Sequence, residues 1–386
     1  MIAAGILAVL FVSIAFYQYF VGPVNQSNKA VESDLDNEGF LEDKKAVLYF
    51  STTADQDMDG KGKSFTVFLN QEGQANFFEM GGLELGGIGV NEDEVLMEDK
   101  ENFYKVADGF EKIPRGKYQH TGDHIGYLKA KKGFYSLYNS GFDRQTGVYQ
   151  SDLYWEEEGK FKKTVIPFFI EASVVDNDKL FTLSTSEDGQ SYVISMAGIG
   201  SESSLETVTE IEKSENSTTF GQLQADEKYL YFIRQTGNLT EMVKVDKRSG
   251  ENVISKAIEY QDNEETMYQQ TPFSFKRSVF LQGKNLYFID GFGDVYRIPT
   301  SGGESEKAFS FQKEDMQGSI EIFHKNNHLY LFTLNQNKSS AKILKYSLLK
   351  DEETGEWIIK NFPELNTFNK KVYLYDFIML KEIKSN

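Results

Sequence analysis

The chain has 386 residues, 40% of them apolar, a net charge of −18 and no cysteine. That is ample for a large core, and it excludes disulfides, thiolate catalysis, cysteine-bound zinc and an acylated N-terminal cysteine. No stretch supplies the basic face that a phosphate backbone requires, so nucleic acid is excluded as a partner.

Residues 2–22 contain no charged side chain. A helix of about 20 such residues crosses a hydrocarbon core roughly 30 Å thick. Tyr17 and Tyr19 stand near its end, where interfacial aromatic anchors sit. The segment reads as an uncleaved signal anchor over residues 1–22, with the folded body outside the cytoplasm. One feature opposes this orientation: Lys29, Lys44 and Lys45 follow the apolar run and no Lys or Arg precedes it. Residues 23–43 are polar and acidic with little periodicity and read as a flexible tether. The folded domain is expected over 44–386.

From residue 44 onward a single phrase returns. It is clearest at Leu230-Tyr231-Phe232-Ile233 and Leu286-Tyr287-Phe288-Ile289, and weaker at Leu48-Tyr49-Phe50, Leu180-Phe181-Thr182-Leu183, Leu329-Tyr330-Leu331-Phe332 and Val372-Tyr373-Leu374-Tyr375. A spacing of roughly 40 to 56 residues between strand-forming segments is the mark of a β-propeller. Seven units can be drawn, 46–80, 84–120, 121–168, 169–213, 218–260, 273–312 and 318–362. The last three show four strands each; the first shows three. Two further strands, Lys371 to Phe377 and Ile378 to Ile383, follow the last unit, and a strand from this C-terminus is expected to complete the first blade. The fold is therefore all-β, a β-propeller behind an N-terminal transmembrane helix, with seven blades favoured over six or eight.

The local motifs follow in chain order. Asp55-Gln56-Asp57-Met58-Asp59-Gly60 has the alternating acids and turn glycine of a calcium loop, which makes Asp55, Asp57 and Asp59 the candidate metal ligands and Ca²⁺ the candidate ion. Lys63 and Thr66 stand where further acids would complete such a shell. Gly62-Lys63-Ser64 lacks the earlier glycine and following helix of a phosphate loop. His120/His124 and His324/His328 are i,i+4 pairs, but Thr121-Gly122 and Asn326-Asn327 break any helix, so they read as turn histidines. Ser186-Glu187-Asp188-Gly189-Gln190-Ser191-Tyr192 reads as a structural hairpin. No Gly-x-Ser-x-Gly elbow marks a nucleophile, and no catalytic residue can be chosen among 59 acids.

The unit Leu286-Tyr287-Phe288-Ile289-Asp290-Gly291-Phe292-Gly293-Asp294-Val295-Tyr296-Arg297-Ile298 resembles the blade phrase of YWTD-type propellers, found in lipoprotein-receptor ectodomains, and more closely their bacterial relatives. Tyr287 and Asp290 match, Phe288 replaces the Trp, and Val295-Tyr296-Arg297 matches the following strand. The resemblance implies a propeller and a habit of binding, and no catalytic residue. The function expected is a membrane-anchored, extracytoplasmic, non-enzymatic binding module for a protein, peptide or cell-surface glycan. The alternatives are a glycan hydrolase or lyase using carboxylates at the central channel, and an accessory or sensory subunit of a membrane complex.

Overall fold

The structure, a computed structural model, describes residues 28–144, 147–200, 205–261, 269–274, 276–335, 340–359, 362–365 and 370–382. Seven sheets, antiparallel except for one short edge strand of the first, stand around one axis. Blade 1 holds Lys44–Ser51, Lys63–Asn70 and Ala75–Gly81; blades 2 to 7 occupy 88–114, 122–166, 172–212, 217–259, 279–310 and 319–359. The C-terminal strand Tyr373–Met379 pairs antiparallel with Lys44–Ser51 and becomes the innermost strand of blade 1. The seven units and the closing strand expected from sequence are thus the observed ones, with Tyr373–Met379 as one strand where two had been drawn.

The returning phrase is the second strand of its blade. This strand lies between two neighbouring blades, so both of its faces are buried and it reads as an unbroken apolar run. Its alternate residues enter different seams, because successive side chains point to opposite faces. Leu230 and Phe232 pack toward blade 4, whereas Tyr231 and Ile233 pack toward blade 6. Leu286 and Phe288 face blade 5; Tyr287 and Ile289 face blade 7. One apolar cluster fills each of the seven seams. Each fully buried large side chain in them contributes about 1.5–3 kcal/mol. The copy at residues 372–375 is the exception, since it begins the innermost closing strand rather than a second strand.

The strands that sequence pattern misses are the short inner ones and the polar outer ones. Ile88–Asn91 and Ala172–Asp176 are only 4 and 5 residues long. Lys160–Ile166 and Leu205–Glu212 are mostly exposed, and their charges blunt the sheet edges.

The expected anchor, residues 1–22, lies outside the described residues, and among those described no helix is long and apolar enough to cross a membrane. The described part of the expected tether, 28–43, is packed rather than loose. Lys29–Ala30 pairs in parallel with Phe77–Phe78 at the outer edge of blade 1. A short helix, Glu32–Leu35, buries Leu35, and Leu41 is buried in the seam between blades 1 and 2. These two leucines and Phe40 give the segment enough apolar surface to dock, although its overall composition is acidic.

Candidate functional site

The innermost strand of each blade lines the axis, and all seven contribute to one cavity of about 650 Å³. Its size is that of a small-molecule site. Val90, Val174, Val279, Phe280, Phe323 and Ile378 line its walls together with the polar side chains of Glu92, Gln224, His324 and Lys325. One end is polar, because six of the seven inner strands or the turns that lead into them bring in a polar residue there: Asp123 with His124, Ser173, Gln222, Lys276 with Arg277, Glu321 and Asp376. The seventh position is Gly87, where a Cβ would meet Ile125 at 2.7 Å and both the Asp376 carboxylate and the Lys276 amine at 3.1 Å. Blade 2 therefore contributes backbone groups in place of a side chain.

The contacts around this collar are specific. Arg277 Nε donates to Asp376 Oδ1 at 2.7 Å, its Nη2 lies 2.6 Å from the same oxygen, and Ile88 N donates to Asp376 Oδ2 at 3.0 Å. Lys276 Nζ donates to the carbonyls of Leu85 and Gly86 at 2.6 and 3.0 Å. Ser173 Oγ donates to Asp123 Oδ2 at 3.1 Å, and Ser173 N donates to Gln222 Oε1 at 2.8 Å. His124 Nδ1 lies 3.3 Å from Ser173 Oγ. Lys276 and Arg277 are placed by a tight turn in which Ser274 N donates to Ser278 Oγ and Arg277 N to Ser274 Oγ.

Enclosure by the ring sets the protonation states. Burial, aided by the Lys276 and Arg277 charges, pushes His124 down to about 4, so the imidazole is neutral at pH 7. Burial lifts Asp123 to about 6 against the opposing pull of Ser173 and Lys276. Burial lifts Glu321 to about 7, opposed by hydrogen bonds from Ser274 and Ile322 N. Burial also lowers Lys276 from the usual lysine range, with Asp376 opposing. Two carboxyls that titrate near neutrality, a neutral imidazole and two cations thus gather around one end of the cavity.

The residues singled out from sequence lie elsewhere, with two exceptions. Asp57 faces Lys100, whose amine is 2.9 Å from Asp57 Oδ2, both side chains being buried, and Gly62 N donates to the same carboxylate. Asp59 pairs with Lys370 and accepts from Lys61 N at 3.0 Å. Asp55 opens the short 3-10 turn Asp55–Asp57. Lysines therefore neutralise two of the three acids, and among the described residues no group of three or more His, Asp or Glu is arranged to hold a metal ion. The 186–192 segment is the hairpin expected, with Ser186 Oγ donating to Asp188 at 2.7 Å and Ser191 N to Ser186 Oγ at 2.9 Å. His324 and His328 straddle the hairpin at Asn326-Asn327. His120 precedes the inner strand of blade 3. His124 and His324, expected as turn residues, instead both line the axial cavity, where His324 stacks on Phe280 at 4.4 Å.

The phrase of blade 6 serves structure. Asp290 is fully buried and accepts from Phe292 N, Asp294 N and Tyr260 OH at 3.0, 2.9 and 3.0 Å. Arg297 donates to Tyr287 OH at 3.0 Å and reaches Asp351 of blade 7 at 2.6 Å, bridging the two blades.

The Glu321 shift has a consequence for stability. The unfolded chain releases this proton near 4.5 and the folded protein near 7, so the native state holds more protons between those values and loses stability as pH rises through them. Glu321→Gln removes that loss. Urea unfolding should show the variant gaining on wild type between pH 5 and pH 8, by on the order of 2–3 kcal/mol. An equal difference at both pH values contradicts the assignment.

The YycP beta-propeller domain family matches residues 39–380. The protein named "Uncharacterized protein YycP" from Bacillus subtilis (strain 168) is 36% identical over 367 residues, covering 94% of each chain. Among solved structures, an apocarotenoid oxygenase of Synechocystis is 8% identical over 83% of this chain and 91% of its own, with a TM-score of 0.49. BamB from Moraxella catarrhalis is 11% identical over 70% and 74%, with a TM-score of 0.44. Likenesses of this size say nothing about activity. Coverage by the family and by its Bacillus relative places the chain in the YycP family of seven-bladed β-propellers.

Proposed function

We propose that the chain is a non-enzymatic binding module, anchored to a membrane through residues 1–22, whose ligand enters the axial cavity. The observation that supports this reading is the cavity itself: about 650 Å³, with an apolar stripe along its walls and polar groups converging at one end. A few fixed polar groups in an otherwise apolar, preformed pocket are what a small ligand or chain end requires for orientation. Asp123, Ser173, Gln222, Glu321 and Asp376 stand on strands of the ring and Lys276 and Arg277 on a turn leading into one, so the site is largely preformed. The ligand classes that fit are a protein segment, a peptide or a glycan end.

A hydrolase or lyase is the second reading, favoured by Asp123 and Glu321 titrating near neutrality, as acid–base groups do. Binding is preferred because Asp376 is neutralised by Arg277 and Asp123 is held by Ser173. Turnover of a captured glycan that stops in Asp123→Asn would reverse this preference.

Gln224 stands in the cavity wall. Gln224→Trp should fill the cavity, leave the unfolding midpoint close to wild type and abolish capture of the ligand from surface extracts by the immobilised protein. Undiminished capture would move the site away from the axis. The anchor is tested separately. The chain joins the propeller at Lys29, on the rim of blade 1, so an anchor before it holds the ring by its edge. Protease added to intact cells should degrade the propeller domain; cleavage only after lysis would place the domain in the cytoplasm.

A further inference from the structure

The polar end of the axial cavity holds hydrogen-bond donors that no acceptor receives among the described residues. A lysine has three donors and an arginine five. Lys276 uses two on the Leu85 and Gly86 carbonyls, and among the described residues no carboxylate pairs with it. Arg277 places Nε and Nη2 on Asp376. Gln222 is only 4% exposed; its Nε2 makes no close hydrogen bond, and the carboxylate it acts on is Asp123. Of the carboxylates nearby, Asp376 takes Arg277 and Ile88 N, Asp123 takes the Ser173 hydroxyl, and Glu321 takes Ile322 N. Since Ser173 gives its proton to Asp123, His124 Nδ1 is the donor to Ser173 Oγ, and Nε2 of the neutral ring is an acceptor.

We infer that the cavity takes a ligand with a carboxylate head and an apolar body, its head at Lys276 and Arg277 and its body along Val90, Val174, Val279, Phe280, Phe323 and Ile378. This rests on the binding reading above and specifies its chemistry. A single negative charge fits better than a phosphate dianion, because Asp376, Glu98, Asp123 and Glu321 stand near the two cations and oppose a second charge. An unpaired cation in an enclosed site strengthens a charge-assisted hydrogen bond to such a head. The apolar walls then distinguish the ligand from a small hydrated acid, since they gain only from a body that leaves water.

Calorimetric titration of the full chain in lipid nanodiscs, with empty discs as the blank, tests this with hexanoate, hexanamide and hexylamine. Hexanoate should bind and the other two should not. Lys276→Met should weaken hexanoate at least about tenfold, and Lys276→Arg should keep it within about threefold, as loss and retention of one charge-assisted contact require. Trileucine with a free C-terminus, compared with its amide, separates a peptide end from a small amphipathic acid as the source of the head; binding of either acid carries the inference. Hexylamine or hexanamide binding as well as hexanoate would overturn the carboxylate and leave the cavity as a binding site, provided that Gln224→Trp blocks them. Hexanoate binding unchanged in a folded Lys276→Met would overturn the placement of the head. Failure of every acid to bind, while Gln224→Trp still abolishes capture from extracts, would overturn the inference and spare the binding reading.

Discussion

Burial of one strand on both faces is the constraint from which the rest of the structure follows. A single blade cannot cover the second strand it carries; only two neighbours can. Leu230 and Phe232 need blade 4, and Tyr231 and Ile233 need blade 6. Repeated seven times, this requirement leaves an open stack with two greasy ends unless the ends meet. They meet between blades 7 and 1, where Leu48 and Phe50 pack with Phe332 and Ile343, and where Phe377 and Met379 of the C-terminal strand complete the seam. Closing so long a loop adds little entropy cost beyond a shorter one, because that cost grows only logarithmically with length.

Closure also builds the axial site. Once seven inner strands converge, any side chain that points to the axis leaves bulk water, and a charge there must find partners or change its protonation state. Both outcomes occur. Asp376 finds Arg277, whereas His124 is held neutral and Glu321 is lifted toward neutrality. Lys276 is the intermediate case: it takes two carbonyls, near a glycine whose missing Cβ allows the approach. The polar collar is a consequence of the ring, and the ring is a consequence of the seams.

The same physics explains what the sequence discloses. Second strands are legible because burial on both faces removes polar residues from them, so Leu286-Tyr287-Phe288-Ile289 stands out without any alignment. The outer strand Leu205–Glu212 is not legible, since exposure lets Glu206, Glu210 and Glu212 interrupt it. The docking of residues 28–43 is hidden because a few apolar residues suffice to hold a segment whose other positions are acidic. The collar was missed for a different reason. Its members arrive one at a time from different blades, and no local motif joins Asp123, Ser173, Gln222, Lys276, Glu321 and Asp376. A signal was nonetheless present. Asp123-His124-Ile125, Ser173-Val174, Gln222-Leu223, Glu321-Ile322 and Asp376-Phe377 each set a polar residue before an apolar one early in a unit or in the closing strand. The Asp55–Gly60 loop drew attention instead because its acids are contiguous, although Lys100 and Lys370 already answer two of them.

The most direct measurement is complementation of the closing strand. A chain ending at residue 369 lacks the innermost strand of blade 1 and should lose its cooperative urea transition and its near-UV circular dichroism. A synthetic peptide spanning residues 370–382 should restore both in a saturable way. A truncated chain that unfolds with the midpoint and cooperativity of the whole protein would contradict the account, because the wheel would then hold together without its seventh seam being completed.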